Sequence, residues 1–147
     1  MTVGHAGNAD DTEGDGYGAV EYVYNIGKFE VTAGQYTEFL NAVAAEDPYH
    51  LYQTEMWDED KGCKIQRTDV NSDGLWEYSI ASDREHRPVG EITWGDAARF
   101  ANWLHNGQPT GAQDLTTTED GSYYLNGAMS DAELLAIMRE PDATWVI

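Results

Sequence analysis

The 147-residue chain is poor in cysteine and in basic residues. Its single cysteine, Cys63, excludes an internal disulfide framework and any zinc site built on several thiolates. Lysine and arginine together number 8 against 27 aspartates and glutamates, and the formal charge of −19 repels phosphate backbones and anionic lipid headgroups. No apolar run approaches the roughly 18 residues of a membrane span. We therefore expect neither nucleic acid nor a membrane as a partner.

The composition changes near residue 18. Residues 1–18 are rich in glycine, aspartate and asparagine without apolar periodicity, which predicts a flexible acidic leader. Residues 19–147 carry the apolar patterns of one domain, and 41% of the chain is hydrophobic, enough for a single core. The first pattern is a period-two alternation that predicts a strand, formed by Val20, Tyr22, Tyr24 and Ile26.

Two helices carry recognisable N-terminal signals. Thr32 is followed three residues later by Gln35, which predicts a capping box, and Pro48 marks the end of this first helix. Thr93 is the predicted N-cap of a second helix, with Asp96 reinforcing the cap. Their predicted core-facing residues are Tyr36, Phe39, Leu40 and Val43 in the first helix, and Ala97, Phe100, Ala101 and Leu104 in the second, which ends at Asn106-Gly107.

The other segments predict short strands and loops, so the fold class is α+β. Residues 49–62 have no clean period and predict an aromatic-rich loop, whereas residues 63–80 predict a hairpin around an acidic turn. Residues 108–127 predict a loop with one short hairpin arm at 123–125. Ser130 with Glu133 predicts a third capping box. The final residues, "ATWVI", have the composition of a strand.

A calcium site is one candidate for chemistry. Asp69, Asn71, Asp73 and Gly74 reproduce the first half of an EF-hand loop, but the twelfth position is Ile80 where a bidentate glutamate should stand. A plain hairpin turn favours the same residues. Cys63 and the four histidines lack the spacing of catalytic or metal-ligating groups, and the alternatives for them are an inert thiol and ordinary loop or helix-end residues.

Aromatic residues are the other candidate for a binding surface. They can line a groove for a saccharide or a peptide, although at these spacings they are more often part of a core. The residues concerned are Trp57, Trp76, Tyr78, Trp94 and Trp103.

Two longer segments resemble the signatures of one family. "IGKFEVTAGQYTEFLNAV" is similar to the opening signature of the sulfatase-modifying-factor family, the formylglycine-generating enzymes and their relatives, with Ala33 in place of the usual asparagine. "RPVGEITWGDAARFANWLHN" resembles the second signature of that family, including its Arg-Pro-Val start and its Thr-Trp pair. The rest of the sequence resembles a bacterial branch of this family that is found in exported, surface-sorted proteins.

The resemblance implies a fold and a set of structural residues. The fold is a variant of the C-type-lectin-like fold, with two main helices, short strands and much ordered loop. Trp94 and Trp103 are expected to pack the core, and Arg87 and Asp96 are expected to pair in a buried polar network. The family pattern continues beyond "ATWVI", so we expect the chain to be the N-terminal portion of the domain, truncated at its C-terminus.

The resemblance also implies the family's cofactors. Formylglycine-generating enzymes bind copper through two C-terminal cysteines and oxidise a substrate cysteine, whereas non-haem iron sulfoxide synthases bind iron through a His-x-x-x-His-x-Glu motif. Neither ligand set is present in this chain, so we expect no cofactor in it, with copper or iron belonging to the complete domain.

Three functions therefore stay open. The chain is part of a formylglycine-generating enzyme without the catalytic cysteines, or a non-catalytic lectin-like module of an exported protein that binds a protein or peptide ligand. The third possibility is a calcium-stabilised structural domain.

Overall fold

The computed structural model describes residues 2–3, 5–10, 18–21, 23–25, 27–58, 60 and 62–147. Two main helices, α1 (Ala33–Val43) and α2 (Trp94–His105), and a short helix α3 (Asp131–Leu134) accompany four short strands. The strands are β1 (Thr2–Val3), β2 (Tyr24–Asn25), β3 (Ile65–Thr68) and β4 (Glu77–Ile80). This mixture of helices and small sheets confirms the predicted α+β class.

Both main helices begin at their predicted caps. The backbone N–H of Gln35 donates to Thr32 Oγ1 at 3.2 Å, and the N–H of Thr32 donates to Gln35 Oε1 at 3.0 Å. The N–H of Asp96 donates to Thr93 Oγ1 at 3.2 Å, and the N–H of Thr93 donates to Asp96 Oδ2 at 2.9 Å. Each box satisfies amides that have no partner within the helix, so these short-range signals fix where the helices start.

Helix α1 ends at Val43 with Ala44 as its C-cap, five residues before the predicted stop at Pro48. Two other predicted helix signals are confirmed. Helix α2 ends at Asn106, and Gly107 follows it with a φ of +81°. Ser130 and Glu133 form a third capping box at the start of α3.

The predicted hairpin forms from β3 and β4. The two strands pair antiparallel, with Ile65 opposite Ile80 and Thr68 opposite Glu77. The strand predicted near residue 24 is shorter than expected: β2 pairs with β1, which lies inside the predicted leader, while Tyr22 and Ile26 fall outside the described residues.

The main core lies between α1, α2 and the hairpin. Phe39 is its centre, with ring centroids 5.2 to 5.3 Å from those of Tyr36, Phe100 and Trp103. A second, smaller cluster packs on another side of α2 and contains Ala98, Ala101, Tyr123 and Leu125. Helix α2 is thus covered on two sides, so its buried surface is wider than the predicted stripe.

Three predictions need correction. The aromatic-rich loop contains a short 3₁₀ helix, Thr54–Trp57, whose Met56 is buried in the main core. The run "ATWVI" forms no strand, because its amides bond to side chains: Thr144 N–H donates to His105 Nδ1 and Ile147 N–H donates to the Tyr123 hydroxyl. The predicted hairpin arm at 123–125 is reduced to a single bridge between Tyr123 and Arg139.

Candidate functional site

The two sequence signatures meet at the start of α1. The N–H of Ala33 donates to the carbonyl of Arg87 at 2.8 Å, and the N–H of Gly34 donates to the carbonyl of Glu85 at 3.0 Å. A Cβ on Gly34 would lie 2.8 Å from Glu85 Cγ and 2.9 Å from its carbonyl oxygen, so this approach requires glycine. The segment before α2 therefore supplies the acceptors for the free amides of α1.

The predicted pairing of Arg87 with Asp96 is wrong. The Asp96 carboxylate is buried and accepts from the backbone and hydroxyl of Thr93, at 2.9 and 2.8 Å. Burial raises the pKa of the Asp96 carboxyl, against the hydrogen bonds from Thr93 and the charge of Arg99, which lower it. Arg87 is exposed, and its Nε donates to the carbonyl of Asp83. Arg87 thus contributes its backbone to the core junction and leaves its side chain at the surface.

The buried ion pair is formed by Arg99 and Glu119. Arg99 is 2% exposed, and its Nε and Nη2 donate to the two carboxylate oxygens of Glu119 at 2.7 and 3.0 Å. The guanidinium also donates to the carbonyl of Ala128 at 2.9 Å and stacks on the Tyr49 ring at 4.3 Å. Glu119 in turn accepts from the N–H of Gly127 at 2.8 Å. This pair fastens the loop from 119 to 128 to α2.

Asn102 performs a similar task one turn further along α2. Its Nδ2 donates to the carbonyls of Thr118 and Tyr123 at 2.7 and 2.8 Å, and its Oδ1 accepts from the N–H of Tyr123. All three of these hydrogen bonds join the Asn102 side chain to backbone groups of a loop without regular secondary structure. Polar side chains of α2 thereby satisfy loop backbone groups that have no partner in a β-sheet.

The sequence carries a signal for this network that pattern analysis overlooked. Asp96, Arg99, Asn102 and Asn106 recur at intervals of three and four residues, which places them along one side of α2. A polar stripe beside an apolar stripe is normally a solvated face. Here Asp96, Arg99 and Asn102 are buried, and the last two bond to residues between 118 and 128. Asn106 is exposed and donates to the carbonyls of Thr117 and Asp120.

The two α2 tryptophans have different roles. Trp103 is buried, packs on Phe39 and donates from Nε1 to the carbonyl of Pro109, so the prediction that it packs the core is confirmed. Trp94 is 42% exposed and touches Tyr123 edge-on, with 5.5 Å between the ring centroids. The prediction that Trp94 packs the core is wrong: its side chain lies at the surface, although the next two residues of the same turn, Gly95 and Asp96, are buried.

An open groove crosses the surface above Phe100 and Leu104 of α2; we call it the Phe29 groove. Residues 27–31 and Trp145 both contribute to its walls. Its volume is 470 Å³. Phe29 is 78% exposed and Trp145 is 49% exposed, so two aromatic rings are accessible beside an apolar floor. Exposed apolar surface of this kind marks binding sites more often than isolated exposed residues do.

The Trp145 wall is held by side chains of neighbouring elements. His105, in the last turn of α2, accepts the N–H of Thr144 at Nδ1 over 3.2 Å. The Tyr123 hydroxyl accepts the N–H of Ile147 at 3.1 Å. Both bonds flank Trp145 and keep its ring beside α2. Trp145 was not among the aromatic candidates, because sequence alone does not show that the final segment returns to α2.

The calcium candidates lie in the β3–β4 turn. Asp69 accepts at its two carboxylate oxygens from the N–H groups of Asp73 and Gly74, at 3.1 and 3.2 Å. The Asp73 carboxylate accepts from the N–H of Leu75 at 3.0 Å. These bonds are those of a hairpin turn that closes on itself. Asn71 is exposed in the same turn.

The described residues do not fit the copper or iron sites of the family. Among them, no group of three or more His, Cys, Asp or Glu side chains is placed to hold a metal ion. Cys63 is buried, with its sulfur 4.0 Å from the carbonyl oxygen of Gly90, and the chain has no second thiol. Within the same described ranges, none of the helices combines the length and the apolar character needed to cross a bilayer.

Comparison with known proteins gives one match. The family model described as "Sulfatase-modifying factor enzyme 1-like domain" matches residues 8–136. No curated protein and no solved structure matches the chain. The family match includes both signature segments, the Arg99–Glu119 pair and all of α3. The chain belongs to the sulfatase-modifying-factor family.

Proposed function

We propose that this chain is the peptide-binding scaffold of a sulfatase-modifying-factor domain, and that it does not itself supply the thiol pair that binds copper in formylglycine-generating enzymes. The single observation that carries the proposal is the Phe29 groove. It combines an apolar floor on α2, two accessible aromatic walls and charged side chains at the rim, Lys28 and Glu30.

The shape of the groove favours an extended peptide. The cavity is partly open to solvent, and its volume lies within the size range of ligand sites, about 300 to 1,000 Å³. Rigid aromatic side chains such as Phe29 and Trp145 provide contact area at little cost in conformational entropy. Lys28 and Glu30 offer both signs of charge, which suits a polypeptide better than a uniformly charged polymer.

The fold also supports a role as a scaffold that presents loops for binding. We propose that the two helices and the loops fixed by Arg99 and Asn102 form the C-type-lectin-like variant that the family resemblance implies. Such a scaffold presents loops without regular secondary structure, and buried polar side chains hold them. An exported protein that binds other proteins is the setting in which we place it.

Binding can be tested with a synthetic peptide that contains one cysteine, and with its serine counterpart. We expect chemical-shift changes in ¹⁵N spectra at residues 28–31 and at the Trp145 indole, and about tenfold weaker binding for Phe29→Ser, which removes one aromatic wall. Phe29 is largely exposed, so this variant should fold normally. Val70→Ser is the matched control, because Val70 is an exposed apolar residue in the β3–β4 turn.

The groove proposal fails if peptides shift resonances elsewhere and leave 28–31 unchanged. It also fails if Phe29→Ser and Val70→Ser bind with equal affinity. Preference for the cysteine peptide over the serine peptide would connect the groove with the substrate class of the family.

The second candidate function is the family reaction itself, oxidation of a substrate cysteine to formylglycine by this chain. Family membership is the observation that favours it. The test is to incubate the protein with copper(I), oxygen, the cysteine peptide and an excess of a thiol reductant, which supplies the two further electrons that reduce oxygen to water, and to measure the peptide mass. Formylglycine formed by the chain alone, and lost in Cys63→Ser, would establish this function and overturn the scaffold proposal.

A further inference from the structure

A second groove lies beside α3, and we call it the α3 groove. Its volume is 590 Å³, and its lining residues are Thr93, Trp94, Asp131, Leu134, Leu135 and Ile137. None of these residues lines the Phe29 groove. The two surfaces are therefore independent, and neither requires the other to be functional.

The floor of the α3 groove is firmly placed. Leu134 and Ile137 pack against the smaller core cluster beside α2. Helix α3 approaches α2 closely at Gly95, where an added Cβ would lie 3.3 Å from Leu134 Cδ1. The Ser130–Glu133 capping box fixes the start of α3. The groove therefore exists before any partner arrives, which lowers the cost of binding.

The rim of the groove exposes large apolar side chains. Of the lining residues, Leu135 is 87% exposed and Trp94 is also exposed. Met129 and Met138, which come just before and just after the lining segment in the sequence, are exposed as well, Met138 at 80%. A concentration of such side chains within one short stretch is unusual for a surface that faces only water. Methionine side chains are flexible and polarizable, and they occur at surfaces that adapt to a partner. The apolar rim thus has the character of a docking surface.

The charge around this rim selects the kind of partner. Between residues 129 and 142 the chain has four carboxylates and one guanidinium. Asp131 lines the groove itself. Hydrogen bonds from Ser130 and from the Met129 amide lower the pKa of Glu133 to about 2, so this carboxylate is ionised at neutral pH. An anionic membrane is repelled by such a rim, and a second copy of the chain would place two acidic rims in contact.

We propose that the α3 groove docks a basic amphipathic segment of a partner protein. The apolar side chains of that segment occupy the groove between Trp94 and Leu134, and its lysines or arginines lie over the carboxylates of the rim. Apolar anchors in a preformed groove give affinity, whereas the charges accelerate encounter and exclude acidic partners.

The test uses two synthetic helical peptides with identical leucine spacing, one carrying lysine and the other glutamate at its polar positions. We expect the Leu/Lys peptide to bind and to shift the amide resonances of residues 129–138, and the Leu/Glu peptide not to bind. The double variant Leu135→Ser/Met138→Ser should bind the Leu/Lys peptide about tenfold more weakly. Both side chains are almost fully exposed, so the double variant should retain its fold.

Val70→Ser again serves as the control, because it removes an exposed apolar side chain without changing the net charge. Equal binding of the Leu/Lys peptide by the double variant and by the control would show that the peptide is attracted only by the net negative charge of the protein. That result would overturn the proposal. Binding of the Leu/Glu peptide would overturn it as well. A dimer that forms without peptide and disappears in the double variant would assign the face to a second copy, contrary to the proposal.

Discussion

The Arg99–Glu119 pair provides the sharpest test of how this fold is held together. Both side chains are almost completely buried, and two direct bonds of 2.7 and 3.0 Å join them. Substituting Arg99→Met removes the guanidinium and leaves a carboxylate in the interior. Substituting Glu119→Gln leaves a buried guanidinium without its counter-charge.

The expected cost follows from the contacts that survive. Breaking a buried ion pair by removing one partner destabilises a protein by about 3 to 5 kcal/mol. In Arg99→Met the carboxylate keeps the N–H of Gly127 and the hydroxyl of Thr118, and in Glu119→Gln the guanidinium keeps the carbonyl of Ala128. These contacts offset part of the loss, so we expect about 3 kcal/mol for each single variant.

The double variant Arg99→Met/Glu119→Gln distinguishes the energy of the ion pair from the cost of leaving one charge buried without a partner. No unpaired charge remains in it, so its cost should be about 2 kcal/mol less than the sum of the two single costs. The measurement is urea-induced unfolding followed by tryptophan fluorescence, at constant pH and salt. Hydrogen exchange at the Leu125 amide, which donates to the Glu119 carbonyl, reports on the loop directly.

Arg84→Met is the control, because Arg84 pairs with an exposed carboxylate, Asp83, at 3.4 Å. An exposed pair contributes only about 0 to 1 kcal/mol. If the Arg99 and Arg84 variants lose similar stability, or if the two single costs are additive, the buried pair does not hold the loop as described.

Three further predictions concern other parts of the molecule. Gly34→Ala should destabilise the protein by about 1 to 3 kcal/mol in urea titrations, because its Cβ would meet Glu85, and a cost below about 0.5 kcal/mol would refute that contact. Burial raises the pKa values of Tyr36 and Tyr78 above 10.0. Their contribution to stability should be complete below pH 10 and lost as the pH rises further, so the phenolate absorbance of these two side chains, taken as the difference from the Tyr36→Phe and Tyr78→Phe variants, should appear together with unfolding and not before it. Calcium should leave the melting temperature unchanged, because Asp69 already accepts two turn amides, and an increase would restore the calcium-stabilised alternative.

Local features of the fold could be predicted from the sequence because their causes are local. The caps at Thr32, Thr93 and Ser130 each join residues three positions apart, and the β3–β4 turn closes within a few residues. Sequence spacing alone specifies such bonds.

The long-range polar network could not be predicted in the same way. Arg99 reaches partners 20 and 29 residues away, and Asn102 reaches partners 16 and 21 residues away. A polar stripe on a helix is compatible with water or with a loop above it, and only the path of residues 113–128 decides between the two. The family resemblance supplied two helices but misplaced Trp94 in the core and paired Arg87 with the wrong residue.

The binding surfaces were hidden for a related reason. Phe29 and Trp145 are far apart in the sequence, and they line the same groove because His105 and Tyr123 hold the final segment against α2. The composition of "ATWVI" favours a strand, but a strand also needs a partner with free backbone groups. In this segment the amides of Thr144 and Ile147 donate to the side chains of His105 and Tyr123 instead of to a neighbouring strand.

The most direct measurement combines binding and chemistry in one sample. The protein, a cysteine-containing peptide, copper(I), oxygen and an excess of a thiol reductant are mixed, and ¹⁵N spectra and the peptide mass are recorded over time. The scaffold proposal predicts shifts at residues 28–31 and no conversion of the peptide cysteine to formylglycine. Conversion of the cysteine to formylglycine, or spectra without any shift at 28–31, would contradict it.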